Sequence, residues 1–239
     1  MNILVIGDSC LDKFIYGNVN RICPEAPVPI FEPLYSTTND GMAANVANNL
    51  RSLGASVYLI TNKNKIIKTR YIDDKSGQML IRVDDEDSCG KIEKSEICFK
   101  KYDALVISDY DKGFLDKDFL QNISDKTDIP KFIDTKKNLG SWCGKFNYLK
   151  VNELEWSKRD KSFYYENAIV TKGSSGASYK DKVYPVDKKV NVSNVSGAGD
   201  TFLASLVFEY LKKGDIIKAI KFANFCASKV VQSRGVTTI

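Results

Sequence analysis

The chain has 239 residues, 43% of them hydrophobic, no histidine and a formal net charge of +5. This is the balance of a globular protein with a sizeable core, and it excludes a disordered or low-complexity chain. The missing histidine excludes every Ser-His-Asp and Cys-His mechanism, so acid–base chemistry falls to carboxylates, lysine, tyrosine or thiols.

Six cysteines without a C-x-x-C pair argue against a structural zinc site and read as reduced, partly buried small residues. The longest apolar runs, such as Ile3–Ile6 and Ala204–Phe208, are far shorter than the ~20 residues of a membrane-spanning helix. The start lacks a basic region and its apolar stretch stops at Gly7-Asp8, so a cytoplasmic location and no membrane partner are expected. The lysine doublets Lys136-Lys137, Lys188-Lys189 and Lys212-Lys213 carry no interleaved aromatics, and no nucleic-acid partner is expected.

In chain order, Asn2–Ile6 reads as a buried strand closed by Gly7-Asp8. Ala43–Leu53 has apolar residues at helical spacing, with Gly54 placed to cap its end. Further strands are predicted at Ser56–Thr61, Ala104–Ser108, Lys131–Asp134, Tyr148–Val151 and Ala168–Thr171. An antiparallel pair, Ala177–Lys180 and Lys182–Val186, flanks a turn at Asp181. Two closing helices are predicted at Asp200–Lys213 and Asp215–Ser233, with Asp215 as N-cap. The alternation argues for a mainly parallel, doubly wound sheet. Two β-rich segments, about 13–35 and 66–84, fall outside it and read either as a small lid sheet over the strand ends or as surface excursions.

Three motifs carry chemistry. Asn194-Val-Ser-Gly-Ala-Gly-Asp200 precedes a helix, so the N–H groups of Gly197, Ala198 and Gly199 suit a phosphoryl group and Asp200 is placed to take a hydroxyl proton. The same residues equally suit a Gly-rich turn with a favourable first-turn carboxylate. Asn152 and Glu155 lie one helical turn apart after a strand and fit either a hydrated Mg²⁺ or a capping box. Thr171-Lys-Gly-Ser-Ser-Gly176 allows backbone approach to a nucleotide or simply makes a turn. Neither a Walker P-loop nor G-x-G-x-x-G occurs.

In their joint order these motifs, with Gly7-Asp8-x-x-x-Asp12 and the Gly41–Asn45 segment, resemble the ribokinase-like carbohydrate kinase family of phosphofructokinase-B type. Arg21–Pro29, Gln78–Asp84 and Ser108–Gly113 look like its heptose 7-phosphate kinase branch. The resemblance implies a single domain over 1–239, folded as a three-layer α/β/α sandwich with a mainly parallel central sheet and a small β lid. It also implies an ATP- and Mg²⁺-dependent transfer to a sugar hydroxyl, with Asp200 as base and Gly197, Ala198 and Gly199 as anion hole. Asn152 and Glu155 would then hold Mg²⁺ through water, and Thr171, Gly173, Gly176 and Asn224 would meet ATP. Asp8, Asp12, Gly41 and Asn45 match acceptor-site positions. Arg supplies six of the 35 cationic residues, and Arg21, Arg70 and Arg82 fall in the lid segments, so with Lys112 they are candidates for an acceptor phosphate. The open lid edges predict a homodimer. Met42 stands where a second glycine is usual, Asn194 and Ser196 replace Asp and Thr, and the link from Thr61 to Lys68 is short, so part of a sugar-site wall is expected to be missing. The nucleotidyltransferase domain fused to some heptose kinases is not expected. A kinase for another sugar or nucleoside, and a weakly catalytic regulatory binder, are the alternatives.

Overall fold

The computed structural model describes every residue except 94–96, 188, 189, 193, 234 and 236, so the Lys188-Lys189 doublet lies outside the described residues. Strand β1 (Asn2–Gly7) forms because Ile3–Ile6 is apolar on both faces, and all four side chains are fully buried. It pairs in parallel with β4 (Ser56–Ile60) and β7 (Ala104–Asp109). β8 (Lys131–Thr135), β9 (Tyr148–Asn152) and β10 (Ala168–Thr171) continue the parallel set. β11 (Ala177–Tyr179) and β12 (Lys182–Tyr184) close one edge antiparallel, giving the order β12-β11-β10-β9-β8-β7-β1-β4. Their turn has Lys180 at φ 47° and Asp181 at φ 61°. Both central residues are left-handed, as a tight hairpin requires, and this turn ends the first strand at Tyr179, one residue short of the predicted Lys180, while the second ends at Tyr184, two short of the predicted Val186.

Ile3 and Val5 pack on one face against α1 (Ala43–Ser52), α4 (Ala198–Lys213) and α5 (Ile216–Val230). Leu4 and Ile6 face the opposite layer, which includes Leu120 and Ile123 of α2 (Lys117–Asp125) and Trp156 of α3 (Glu153–Ser157). The sheet is thus covered on both sides, as the three-layer expectation required. Helix α2 was not legible from periodicity because it has only nine residues. Its signals are local: the Asp116 side chain caps Phe119 N at 2.8 Å, and Leu120 and Ile123 share a face.

The β-rich segments form a separate four-stranded sheet of order β3-β2-β5-β6, from β2 (Ser9–Ile22), β3 (Pro29–Met42), β5 (Ile66–Asp73) and β6 (Met79–Asp85). The first two strands run further than the predicted lid segment. Pro33 is accommodated because β3 is an edge strand and the ladder shifts register beside Gly17. Cys10, Asp12, Phe14 and Tyr16 alternate inward, while Leu34, Met79, Ile81 and Val83 are exposed. The link after β4 is only residues 61–65, and Asn62 ties it down: its Oδ1 accepts from Ser9 N at 2.7 Å and its Nδ2 donates to Ser9 O at 3.1 Å. No helix among the described residues is long and apolar enough to cross a membrane.

Candidate active site

The site lies where the C-terminal ends of the parallel strands meet the lid, the usual ligand crevice of open α/β sheets. Asp200 stands in the first turn of α4 and is 3% exposed. The helix begins after Gly197, whose φ of 80° is a left-handed conformation that glycine adopts without strain. Asn194 Oδ1 accepts from Ser196 N at 2.9 Å and shapes the approach to that turn. Asn45 Nδ2 donates to Asp200 Oδ2 at 3.0 Å, and the Tyr110 hydroxyl donates to Oδ1 at 2.6 Å. Burial pushes the Asp200 carboxyl up to about 6, against the opposing pull of these two hydrogen bonds and of Lys150.

Behind the turn, Lys150 on β9 is buried and pairs with Asp134 on β8 at 2.6 Å. A side chain on Gly199 would begin 3.0 Å from Lys150 Nζ, so this cation sits directly against the Gly197–Gly199 turn. Burial opposes ionisation of Asp134, yet the Lys136 and Lys150 charges hold its carboxyl below the ordinary value. Lys136 also donates to Glu155 Oε1 at 2.6 Å. Asn152 and Glu155 realise the capping box fully: Asn152 Oδ1 accepts from Glu155 N at 2.9 Å and Glu155 Oε2 from Asn152 N at 2.8 Å. Their oxygens are hard donors suited to Mg²⁺. No cluster of three metal-ligating side chains occurs among the described residues, and a Mg²⁺ that keeps most of its water shell would need none.

On the lid side, Asp8 follows β1, is fully buried and accepts from Tyr110 N at 2.6 Å. Asp12 is paired with Arg70 at 2.5 Å. Gly41 lies against Asp12 so closely that any side chain there would collide with its carboxylate and with Cys10 Sγ. Met42, at φ 59° and ψ −131°, turns the chain into α1. Its side chain is buried with Cys10 and Ile66 beside Tyr110. Lys112 pairs with Asp87, which lies 4.0 Å from Lys68, while Arg82 grips Asp84 with two bonds of 2.6 Å. Burial lowers the Lys68 amine and the charges of Lys112 and Arg82 lower it further, so the three form one cationic group. Arg21 does not join it. Nine residues along β2 from Asp12, it lies roughly 30 Å away at the exposed far end of the hairpin.

On the other side of the turn, a mainly apolar cleft of about 400 Å³ brings together Thr171, Gly173, Gly176, Ala198, Gly199 and Asn224, with Phe202 and Val195 on its walls. Asn224 Nδ2 donates to Tyr184 O at 2.8 Å. Sequence reasoning missed Tyr110, Lys68, Lys136 and Lys150. For Lys150 a signal existed, since a lysine inside a buried strand needs a partner.

Residues 135–239 match the profile of the pfkB family carbohydrate kinases. The bifunctional protein HldE of Nitratiruptor sp. is 29% identical over an alignment of 297 positions that takes in 99% of this chain. The chain spans 62% of that relative's length. Ribokinase from Thermotoga maritima superposes with a TM-score of 0.73 at 16% identity, over 98% of this chain and 94% of the other. Ribokinase from Arabidopsis thaliana, solved with ribose and ATP, gives 0.69 at 14% identity over 98% and 93%. The fold is therefore ribokinase-like throughout. An alignment of 297 positions against 239 residues also shows that the HldE relative carries segments this chain lacks, in line with the short link before β5.

Proposed function

We propose that the protein transfers the γ-phosphoryl group of ATP to a hydroxyl of a phosphorylated sugar, with D-glycero-β-D-manno-heptose 7-phosphate and its anomeric hydroxyl as the preferred acceptor. The observation that carries this is the position of Asp200, buried in the first turn of α4 directly after Ala198 and Gly199, which line the 400 Å³ cleft, and joined through Tyr110 to Asp8. ATP occupies that cleft and points its phosphates at the Gly197–Gly199 turn, where the helix dipole and Lys150 favour negative charge. Asp8 and Asp12 orient the sugar by accepting from its hydroxyls. As the acceptor oxygen forms its bond to phosphorus and the bond to ADP breaks, Asp200 takes the hydroxyl proton. Asn152 and Glu155 hold the water shell of Mg²⁺, which supplies neutralisation of phosphate charge. Arg82, Lys112 and Lys68 receive the acceptor's own phosphate.

The HldE relative supports a heptose phosphate as the acceptor class. A screen of ATP consumption over sugars and sugar phosphates, with and without Mg²⁺, tests the assignment. Higher kcat/KM for an unphosphorylated hexose, ribose or nucleoside than for any sugar phosphate overturns the acceptor. Nucleotide binding without turnover on any sugar supports instead a regulatory binder, the reading favoured by Met42 and the short link. The exposed apolar side chains of β3 and β6 further support a homodimer joined through the lid. A monomeric mass at high protein concentration removes the dimer without touching the kinase.

A further inference from the structure

Tyr110 touches both halves of the site. Its hydroxyl donates to Asp200 Oδ1 at 2.6 Å, and its backbone N–H donates to Asp8 Oδ2 at 2.6 Å. Since Asn45 already donates to Asp200 Oδ2, both oxygens of that carboxylate are engaged. A phenol at this distance makes a charge-assisted bond of the same donor type as the one an acceptor alcohol must offer its base. The ring is held by the Cys10, Met42 and Ile66 cluster, and Lys136 Nζ lies 5.1 Å from its centre. The chain beyond it turns through Asp111 at φ 56° and Gly113 at φ 100°.

We propose that the Tyr110 hydroxyl occupies the acceptor-hydroxyl position on Asp200 and is displaced when the sugar binds, keeping water from the base until then. The inference rests on the kinase reading above. Hydrolysis of ATP needs a water oxygen to bond to the γ-phosphorus, ADP to leave and the water proton to pass to Asp200. With the phenol in place, a water must displace a charge-assisted bond while offering one hydrogen bond in return. A sugar held by Asp8 and Asp12 displaces it with several contacts at once. Tyr110 is therefore a positioning residue that discriminates an acceptor from solvent at the base, a form of induced fit.

The test compares the full chain and Tyr110→Phe with ATP, Mg²⁺ and D-glycero-β-D-manno-heptose 7-phosphate. Without sugar, the variant should release inorganic phosphate about tenfold faster than the wild type. With sugar, its acceptor KM should fall about tenfold, while kcat moves by a smaller factor, because the sugar no longer breaks a bond to a charged group. A second measurement needs no variant turnover: adding the sugar phosphate to wild-type protein without ATP should shift the ultraviolet tyrosine band as the phenol leaves the carboxylate. Transfer by the wild type, with hydrolysis and acceptor KM unchanged in Tyr110→Phe, overturns the role of Tyr110 and leaves the kinase standing. No transfer by the wild type to this or any other sugar, sugar phosphate or nucleoside overturns both. If the variant fails to fold, an unshifted wild-type tyrosine band overturns the proposal alone.

Discussion

The Asn45 amide donates to the Asp200 carboxylate at 3.0 Å across 155 positions of sequence, joining the first turns of α1 and α4. Asn45 in turn accepts from Asn49 Nδ2 at 3.0 Å, so its orientation is set from within its own helix. The residue expected to meet the sugar is thereby turned toward the base.

Asp200 ties activity and stability to pH with opposite preferences. As base it must be ionised, so kcat/KM should fall as pH drops through about 6, measured as an acid limb in the rate profile. For stability, its folded pKa is raised above the unfolded value near 3.9, so the folded state holds the proton more tightly. Its contribution to stability is fully present below pH ~4 and is lost as pH rises to about 6, a change of about 2–3 kcal/mol. Asp200→Asn should slow turnover 10²–10⁴-fold and flatten this part of the urea-stability profile. An unchanged rate would remove Asp200 as base.

The Lys150–Asp134 pair predicts an asymmetric mutational response. Asp134→Asn strands the buried Lys150 ammonium and should cost about 3–5 kcal/mol in urea unfolding, whereas Lys150→Met leaves Asp134 beside Lys136 at 3.6 Å and should cost less. The double variant should recover much of that loss, because no unpaired charge remains buried. Additive losses would show that the two groups are not coupled.

Met42 sets backbone strain against packing. A non-glycine residue at its positive φ costs about 1–3 kcal/mol, whereas truncating a buried Met to Ala costs about 2–5 kcal/mol. Packing wins, so Met42→Gly should be less stable than wild type. Met42→Ala should be less stable still, by about 1 kcal/mol, because it loses the packing and keeps the strain. Thermal unfolding in the order wild type, Gly, Ala is expected, and an Ala variant more stable than Gly would contradict the strain.

The cationic group predicts selective effects on the acceptor. Arg82→Ala and Lys112→Ala should each raise the KM of the sugar phosphate several-fold and leave the KM of ATP near its starting value, since both lie on the lid side of Asp200. Arg21→Ala should change neither within one chain. Equal effects of Arg82→Ala on both substrates would count against a phosphate subsite there.

Elements whose signal is local were legible in the sequence. The apolar run of β1, the turn before Asp200 and the Asp215 cap each rest on a few adjacent residues, and the structure has all three. Gly41 illustrates a residue whose reason was hidden: its close neighbours, Cys10 and Asp12, lie on the facing strand. Tyr110 and Lys150 escaped for a similar reason. Tyr110 stands just past the end of β7 and Lys150 in the middle of β9, and only the sheet order brings β7, β8 and β9 side by side against the first turn of α4. The lid strands were underestimated because β3 is exposed along most of its length and so lacks the alternation that marks a half-buried strand.

The lid joins the core through junctions with almost no slack. Asp8 alone separates β1 from β2, β3 ends at Met42 where α1 begins at Ala43, and five residues separate β4 from β5. Asp8 also carries the Tyr110 backbone, and Met42 packs beside the Tyr110 ring. Any rotation of the lid on the core thus acts directly at Asp8 and Met42. A displacement of the lid is therefore passed to Tyr110 and, through its hydroxyl, to the Asp200 carboxylate.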